Sequence, residues 1–508
     1  MTSTLSPCFD PHVYSSGRWL YRDKLERDAR HVDFSFEALR QKVIELCPGA
    51  VAITDCQKLE GGFNRVFIFT MDNCKQIVAR LPFTLAGPAR LTTASEVATV
   101  KYLQTNTSIP IPEILDWSDD AKDARNLIGH EYIIMAHADG VPLSHKWPAM
   151  AGDQRVKCID AIYNTMKEVI DLHFPVYGSI YLTHSLPISD PRESFQLDED
   201  FCIGPHCGTR YWDCNVGDER YYHKVNPNHG PWSNLSTYSD GLIDAGLSRL
   251  PPTNTNFKAK PPYQGSVQSH VMLLHRCRAL LQQMSTHQDI ISASAPVLFH
   301  PDLHKRNIFV SEHNPSMITG IIDWQGSSVE PAFWYADEVP DFAIPQEQGD
   351  DVCAKAYDVC SQFLMPRLAG PRLMDENLFR PFRYSYRTWK DGAVALRHDI
   401  IQTARQWNQL GFDGQCVYPL LSAVELARHK EEYQLFKAAQ HLKRDLSSLL
   451  NSATDGWVPA DRWEETNLAH IELFHGILQA VVTNTDLEDE PVKDAETLRS
   501  IWPFDIEE

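Results

Sequence analysis

The stretch Leu298-Phe299-His300-Pro301-Asp302-Leu303-His304-Lys305-Arg306-Asn307-Ile308-Phe309-Val310, followed by Glu312-His313-Asn314-Pro315 and then Ile318-Thr319-Gly320-Ile321-Ile322-Asp323-Trp324, decides how the rest of the chain is read. Two short apolar runs flank a polar turn, which is the pattern of a hairpin. Antiparallel pairing sets the start of one strand beside the end of the other, so Asn307 and Asp323 are expected at the same end of the ribbon. An amide and a carboxylate there are hard oxygen donors of the kind that hold Mg²⁺. Asp302, on the loop before the first strand, can meet a hydroxyl group, and together these are the parts phosphoryl transfer needs.

Working outward, Phe36, Leu39, Val43 and Leu46 recur at helical spacing, and the apolar runs 66–69, 77–81 and 132–135 predict strands. A helix is expected from 95 to about 104, with Val97, Val100 and Leu103 on one face. Residues 34–138 thus form a small mixed sheet with one early helix, after an extension over 1–33. Past Asp139-Gly140 the periodicity turns helical, first at 158–172 and then through 354–450, so 139–508 is a larger, mainly helical part. Within it, 188–264 is rich in Gly, Pro, Asn and aromatics and reads as an insertion or lid beside a cleft. The acidic stretches 486–490 and 505–508 read as solvated surface.

The chain has 508 residues, enough to bury one large core or two. Its 47 Lys and Arg against 67 Asp and Glu give a formal charge of -20. Nucleic acid and anionic membrane are therefore not expected as partners, and a neutral or cationic acceptor is easier to accommodate. Twelve cysteines are scattered through a chain too long to need disulfides, so reduced thiols are expected. No apolar run is long enough to span a bilayer and the start is not that of a secretory signal, which predicts a soluble intracellular protein without membrane insertion. The first residues lack acids and carry Ser and Thr, but Asp10, Asp23, Glu26 and Asp28 soon follow, a poorly marked mitochondrial presequence at best.

His300-x-Asp302-x-x-x-x-Asn307 resembles the catalytic loop of kinases. His304, two residues after Asp302, and the Ile322-Asp323-Trp324 end are more similar to the aminoglycoside phosphotransferase and choline kinase branch than to protein kinases. Within that branch the chain resembles the fungal group called altered inheritance of mitochondria protein 9. The similarity runs through Asp10-Pro11, Glu60-Gly61-Gly62-Phe63-Asn64-Arg65-Val66-Phe67, Ile77-Val78-Ala79-Arg80-Leu81-Pro82-Phe83 and Glu330-Pro331-Ala332-Phe333-Trp334-Tyr335. What the resemblance implies is an α+β, bilobal, protein-kinase-like fold with an antiparallel sheet in its small N-lobe and a helical C-lobe. It implies ATP and Mg²⁺ as cofactors, Asp302 as the catalytic aspartate, His300 as a brace for the loop, and Asn307 and Asp323 as metal ligands. It also implies a mitochondrial location, with the cytoplasm as the alternative.

Gly61, Gly62 and Asn64 stand where the nucleotide loop would be. A Gly-Gly pair in a hairpin is usually only a turn, and its place ahead of Arg80 and the catalytic loop is what favours phosphate contact. Arg80 occupies the position at which kinases carry a lysine, a departure that puts activity in question because the two side chains are not interchangeable. Its expected partner is Glu96, which also closes a capping-box pattern, Thr93-Ala94-Ser95-Glu96, and would then bond backbone instead. Glu131-Tyr132-Ile133-Ile134-Met135-Ala136-His137 reads as the hinge between lobes, with Met135 lining an adenine pocket, or as a plain core strand. Cys202, His206, Cys207, Cys214 and His223 could gather around zinc, but their spacing fits no familiar knuckle. Two functions are left standing: an ATP-dependent phosphotransferase acting on an unidentified, small hydroxyl acceptor, and a non-catalytic nucleotide-binding factor working through a protein partner.

Overall fold

Strand alternation and helix burial account for most of the architecture, seen in a computed structural model that describes residues 9–186, 193–212, 216–218, 227–252, 260–336, 338–344, 351–483 and 490–506. A short strand β1 (Gly17–Trp19) and helix α1 (Phe36–Glu45) precede a five-stranded antiparallel sheet. Its strands are β2 (Ile53–Glu60), β3 (Asn64–Met71), β4 (Gln76–Pro82), β5 (Ile114–Ser118) and β6 (Tyr132–Ala136), in the order β2-β3-β4-β6-β5. Because successive side chains point to opposite faces, Phe67, Phe69 and Met71 of β3, Ile77, Ala79 and Leu81 of β4, and Tyr132 and Ile134 of β6 all enter one core with Leu39 and Val43 of α1. The intervening residues, Val66, Val78, Arg80 and Met135, face the other way and line a cleft.

Helix α2 (Leu91–Asn106) lies between β4 and β5 in the chain and is buried almost without interruption from Thr92 to Leu103. A helix hidden on every side packs against two layers at once: here the sheet, and in the second lobe the strand β7 (Ser179–Leu182) introduced below. It starts four residues earlier than the periodicity of its apolar face predicts, at Leu91 in place of 95. That earlier start overturns the capping-box reading of Glu96, which stands in the second turn and bonds a side chain from β4. Strands β2 and β5 have no apolar alternation to reveal them, since β2 shows mostly exposed or half-exposed residues and β5 is half-buried along its length.

Gly140 ends the linker between lobes. Its φ is +85°, and a Cβ there would lie 2.2 Å from the Val310 carbonyl oxygen, so only glycine fits. The second lobe follows with α3 (Gly152–Asp171), the antiparallel pair β7 and β8 (Phe201–Gly204), α4 (Leu235–Ser248) and α5 (Val267–Met284). Next come β9 (Pro296–Phe299), the hairpin β10 (Ile308–Val310) and β11 (Ile318–Ile321), and β12 (Ser328–Pro331), which pairs with β9. Helices α6 (Glu376–Ser385), α7 (Ala393–Arg405) and the 28-residue α8 (Ala423–Leu450) lead to β13 (Trp457–Pro459) and α9 (Trp463–Thr483).

One core of this lobe joins α3 to the hairpin, with Ile308, Val310, Ile321 and Trp324 inside it, and another joins α4, α5, α6 and α7. The composition of 188–264 suggested a loop, yet α4 is packed into the second core through Tyr238, Leu242 and Ile243. The two ends of the chain meet: β1 pairs antiparallel with β13, and Leu20 joins Leu446, Leu450 and Phe474 in a separate cluster. Among the described residues no helix is long and apolar enough to cross a membrane.

Candidate active site

The hairpin register sets the site. Ile308 stands opposite Ile321, and the Ile322 amide donates to the Asn307 carbonyl at 3.0 Å, so Asn307 and Asp323 emerge side by side at the base of the ribbon. Asp323 has φ +69°, a conformation uncommon outside glycine and concentrated at functional sites. Next to it, Trp324 is buried and stands edge-on to the His300 ring with centroids 4.6 Å apart. His300 fastens the loop from both sides of its ring. Nε2 pairs with the Ile322 carbonyl at 3.0 Å, and Nδ1 accepts from the Asp302 amide at 3.2 Å. Burial pushes its pKa down, consistent with a neutral imidazole that donates at Nε2.

Asp302 is held in turn by two neighbours. The Asn307 amide nitrogen donates to its carboxylate at 2.7 Å and to its carbonyl at 2.9 Å, and Arg306 donates to both carboxylate oxygens at 2.8 and 2.6 Å. With that nitrogen committed, Asn307 is left with Oδ1 as its free acceptor. The loop is anchored below by Asp341, which accepts from the Lys305 amide at 3.0 Å and donates its own amide to His304 at 3.2 Å.

From the other lobe, Arg80 enters the cleft on the face opposite the sheet core. Its Nη1 donates to Glu96 of α2 and its Nη2 to Asp323, so one guanidinium ties both lobes together. Glu96 is buried, and burial pushes its pKa up to about 7 against the pull of Arg80. The glycine turn lies above. A Cβ on Gly62 would meet nothing, and one on Gly61 would meet only the Asn64 carbonyl at 3.9 Å, so the turn leaves open space over the cleft. Asn64 and Gln325 exchange reciprocal amide hydrogen bonds of 2.9 and 3.0 Å, a second link between lobes.

Many of these groups open on one cavity of about 640 Å³, whose lining includes Gly61, Gly62, Asn64, Arg80, Met135, Asp302, Asn307 and Asp323. That size suits a nucleotide-sized ligand. Of the residues singled out in the sequence, Glu96 and His300 stand behind this lining and act through Arg80 and through the loop backbone. Arg306, Gln325 and Asp341 escaped the sequence reading. Only Arg306 left a trace there, four residues after Asp302.

The far wall of the cavity carries a further buried network that sequence reasoning had broken up. Glu330 of β12 receives His206 at 2.8 Å, Arg210 at 2.5 Å and Tyr238 at 2.5 Å, and these partners pull its pKa down to about 2 in spite of its burial. His206 is thereby accounted for as a partner of Glu330, while Cys207 bonds Ser179. Cys214 and His223 lie outside the described residues, and among those described no cluster could hold a metal by itself.

The family model described as "Phosphotransferase enzyme family" matches residues 55–334, more than half of the chain. A subtelomeric hrmA-associated cluster protein of Aspergillus fumigatus is 34% identical over 317 residues, which are 56% of this chain and 59% of that protein. The chain thus spans little more than half the length of this relative. The protein "Altered inheritance of mitochondria protein 9, mitochondrial" of Candida dubliniensis is 21% identical over 547 residues, covering 89% of this chain and 84% of its own. Among solved structures, a putative aminoglycoside phosphotransferase from Ralstonia eutropha covers 79% of this chain and 95% of its own, with 14% identity and a TM-score of 0.37. On the family match, the chain belongs to the phosphotransferase enzyme family.

Proposed function

We propose that the protein binds Mg·ATP in the cleft between its lobes and transfers the γ-phosphate to a hydroxyl group of a small acceptor. The observation that carries this reading is the convergence of Asp302, Asn307 and Asp323 with Arg80 and the glycine turn on one cavity. Asn307 Oδ1 and the Asp323 carboxylate are the hard, neighbouring oxygens that Mg²⁺ prefers, and they fit the ion as a donor set. When bound, the ion neutralises phosphate charge. The protein's own part is to orient and to hold a proton: Asp302, fixed by Asn307, faces the acceptor hydroxyl and takes its proton as the oxygen attacks. Met135 and the linker after it supply an apolar seat for the base, and Gly61, Gly62 and Asn64 let backbone approach the phosphates.

A second reading, a nucleotide-binding factor without turnover, is favoured by one observation. Arg80 stands where a lysine is usual in kinases and already holds Asp323, the carboxylate the metal needs. The mitochondrial designation of the Candida relative supports a mitochondrial location for this chain in either case. The two readings separate in one experiment, titration of Mg·ATP followed by measurement of ADP release with and without a panel of small alcohols and amino sugars. Binding with acceptor-stimulated ADP release supports the enzyme. Binding without any turnover supports the factor, and absence of Mg-dependent binding at millimolar nucleotide removes both.

A further inference from the structure

Behind the catalytic loop lies a second cavity, of about 280 Å³. Met166 and Ile170 of α3 line it, with Met365, Leu368 and the rings of Tyr335 and Tyr357. Protein interiors are close-packed, so a space of this size stands out as room for an occupant. An apolar cavity of about 150 Å³ already admits a benzene ring. Three polar side chains of the lining are turned to the protein: Tyr357 donates to the Glu338 carbonyl at 3.2 Å, Ser361 to the Asp358 carbonyl at 3.1 Å and Arg372 to the Asp358 carboxylate at 2.9 Å. What they leave to an occupant is mainly apolar surface. The cavity also adjoins the larger one. Phe299, Pro301 and Glu338 line both, and Pro301 and Leu303, which line this one, are the chain neighbours of Asp302, about 3.8 Å away between Cα atoms. His304, in the same lining, holds its Nε2 3.4 Å from the Asp302 carboxylate.

We propose that this cavity seats the apolar end of the acceptor, so that the acceptor is an alcohol carrying an aromatic ring or a short aliphatic chain. This names the substrate class of the phosphotransferase reading and rests on it. It also narrows the neutral or cationic acceptor that the net charge of -20 suggests to one with an apolar end. A compound held by Met166, Ile170, Met365 and Leu368 turns its hydroxyl past Pro301 toward Asp302. In transfer the hydroxyl oxygen bonds the γ-phosphorus as the bridging P–O bond to ADP breaks, and the proton passes to Asp302.

2-Phenylethanol is titrated into the full-length protein and followed by saturation-transfer NMR, and ADP release from Mg·ATP is then measured with 2-phenylethanol, 1-hexanol or glycerol present. Two variants fill the cavity from different helices, Ser361→Leu and Leu368→Phe, and both stand away from the residues that meet nucleotide or metal. The parent should bind 2-phenylethanol and release ADP faster with either apolar alcohol than with glycerol. Each filled variant that keeps the parent's melting temperature should bind 2-phenylethanol about tenfold more weakly, with Mg·ATP affinity unchanged. A parent that does not bind 2-phenylethanol, or a folded variant that binds it as the parent does, overturns the proposal. Glycerol stimulating ADP release as well as the apolar alcohols overturns the acceptor assignment too, and that comparison needs no variant. No ADP release with any alcohol, beside 2-phenylethanol binding that the filled variants lose, counts against the phosphotransferase reading and not against the apolar site.

Discussion

Asp302 and Asp323 are both acidic, both at the same loop base, and differ in their neighbours. Asp302 is held by Arg306 and Asn307, and Asp323 by Arg80 across the cleft. Asp302→Asn is therefore expected to keep Mg·ATP affinity within about twofold while lowering turnover by a factor of about 10² to 10⁴, the usual worth of a positioned base. Asp323→Asn should weaken Mg-dependent nucleotide binding itself. Calorimetry and single-turnover ADP release on the two variants check the division, and equal loss of binding in both would contradict it. Arg80 gives the sharper experiment. Arg80→Met removes the link between Glu96 and Asp323 and leaves Glu96 buried without its cation, so nucleotide binding should fall by about tenfold and stability by roughly 3 kcal/mol. Arg80→Lys restores the charge; partial turnover in that variant marks an enzyme, and none marks a binding factor. At this scale the sequence pointed to Asp302, Asn307 and Asp323 by residue type and spacing, and the structure gathers all three on one cavity. The sequence was silent on Gln325 and Asp341, ordinary polar residues whose importance comes only from what folding sets beside them.

The elements explain why some of the fold could be read in advance. The hairpin β10-β11, the strands β3, β4 and β6, and helices α1 and α3 carry an apolar face at the right period, and each appears at its expected place to within a few residues, α3 beginning six residues earlier. Helix α2 was expected from 95 on the face of Val97, Val100 and Leu103, but because both of its sides are covered it runs further, and its true start at Leu91 leaves Glu96 with its expected partner Arg80 and not at a cap. Helix α4 was hidden by composition, since its Gly241 sits against Trp232 and its Gly246 against Leu274 and the Ser385 carbonyl, close approaches that need small residues. Between elements, the Asn64-Gln325 exchange ties the first residue of β3 to the loop after Asp323. Gln325→Ala removes both hydrogen bonds, each worth about 1 kcal/mol, so Mg·ATP affinity should drop about fivefold with the fold intact. Hydrogen exchange at residues 61–64 should quicken in parallel. Unchanged affinity together with unchanged exchange would show that the pair holds nothing closed.

For the whole molecule, acid sensitivity follows from buried imidazoles. His270, His429 and His470 are buried, His398 is half-buried beside His429, and burial pushes the pKa of all four down to about 4. Their folded pKa lies below that of the unfolded chain, about 6.5, so the stability they allow is present above pH 6.5 and is lost as pH falls toward 4. Each contributes roughly 1 to 3 kcal/mol over that window. His470 accepts a hydrogen bond from Trp502 at 2.9 Å, which protonation would break. Melting temperature should fall steeply between pH 6.5 and 4, and His470→Gln, which can accept the same bond without titrating, should flatten part of that slope. A melting temperature level across this range would refute the assignment. The pairing of β1 with β13 carries a mechanical corollary. Helix α8, about 42 Å long at 1.5 Å per residue, rests on α7 through Phe436 near its middle and ends beside Leu20, next to the strand that leads back toward the sheet of the first lobe. Besides the packing of α2 on β7 and the side-chain links across the cleft, the lobes are thus joined at the Gly140 linker and by this strut, and a door hung on two hinges that share no axis cannot swing freely. Wide gaping of the cleft would strain the pairing of the terminal strands, so whatever grips or releases β1 would bear on how readily the cleft admits a ligand.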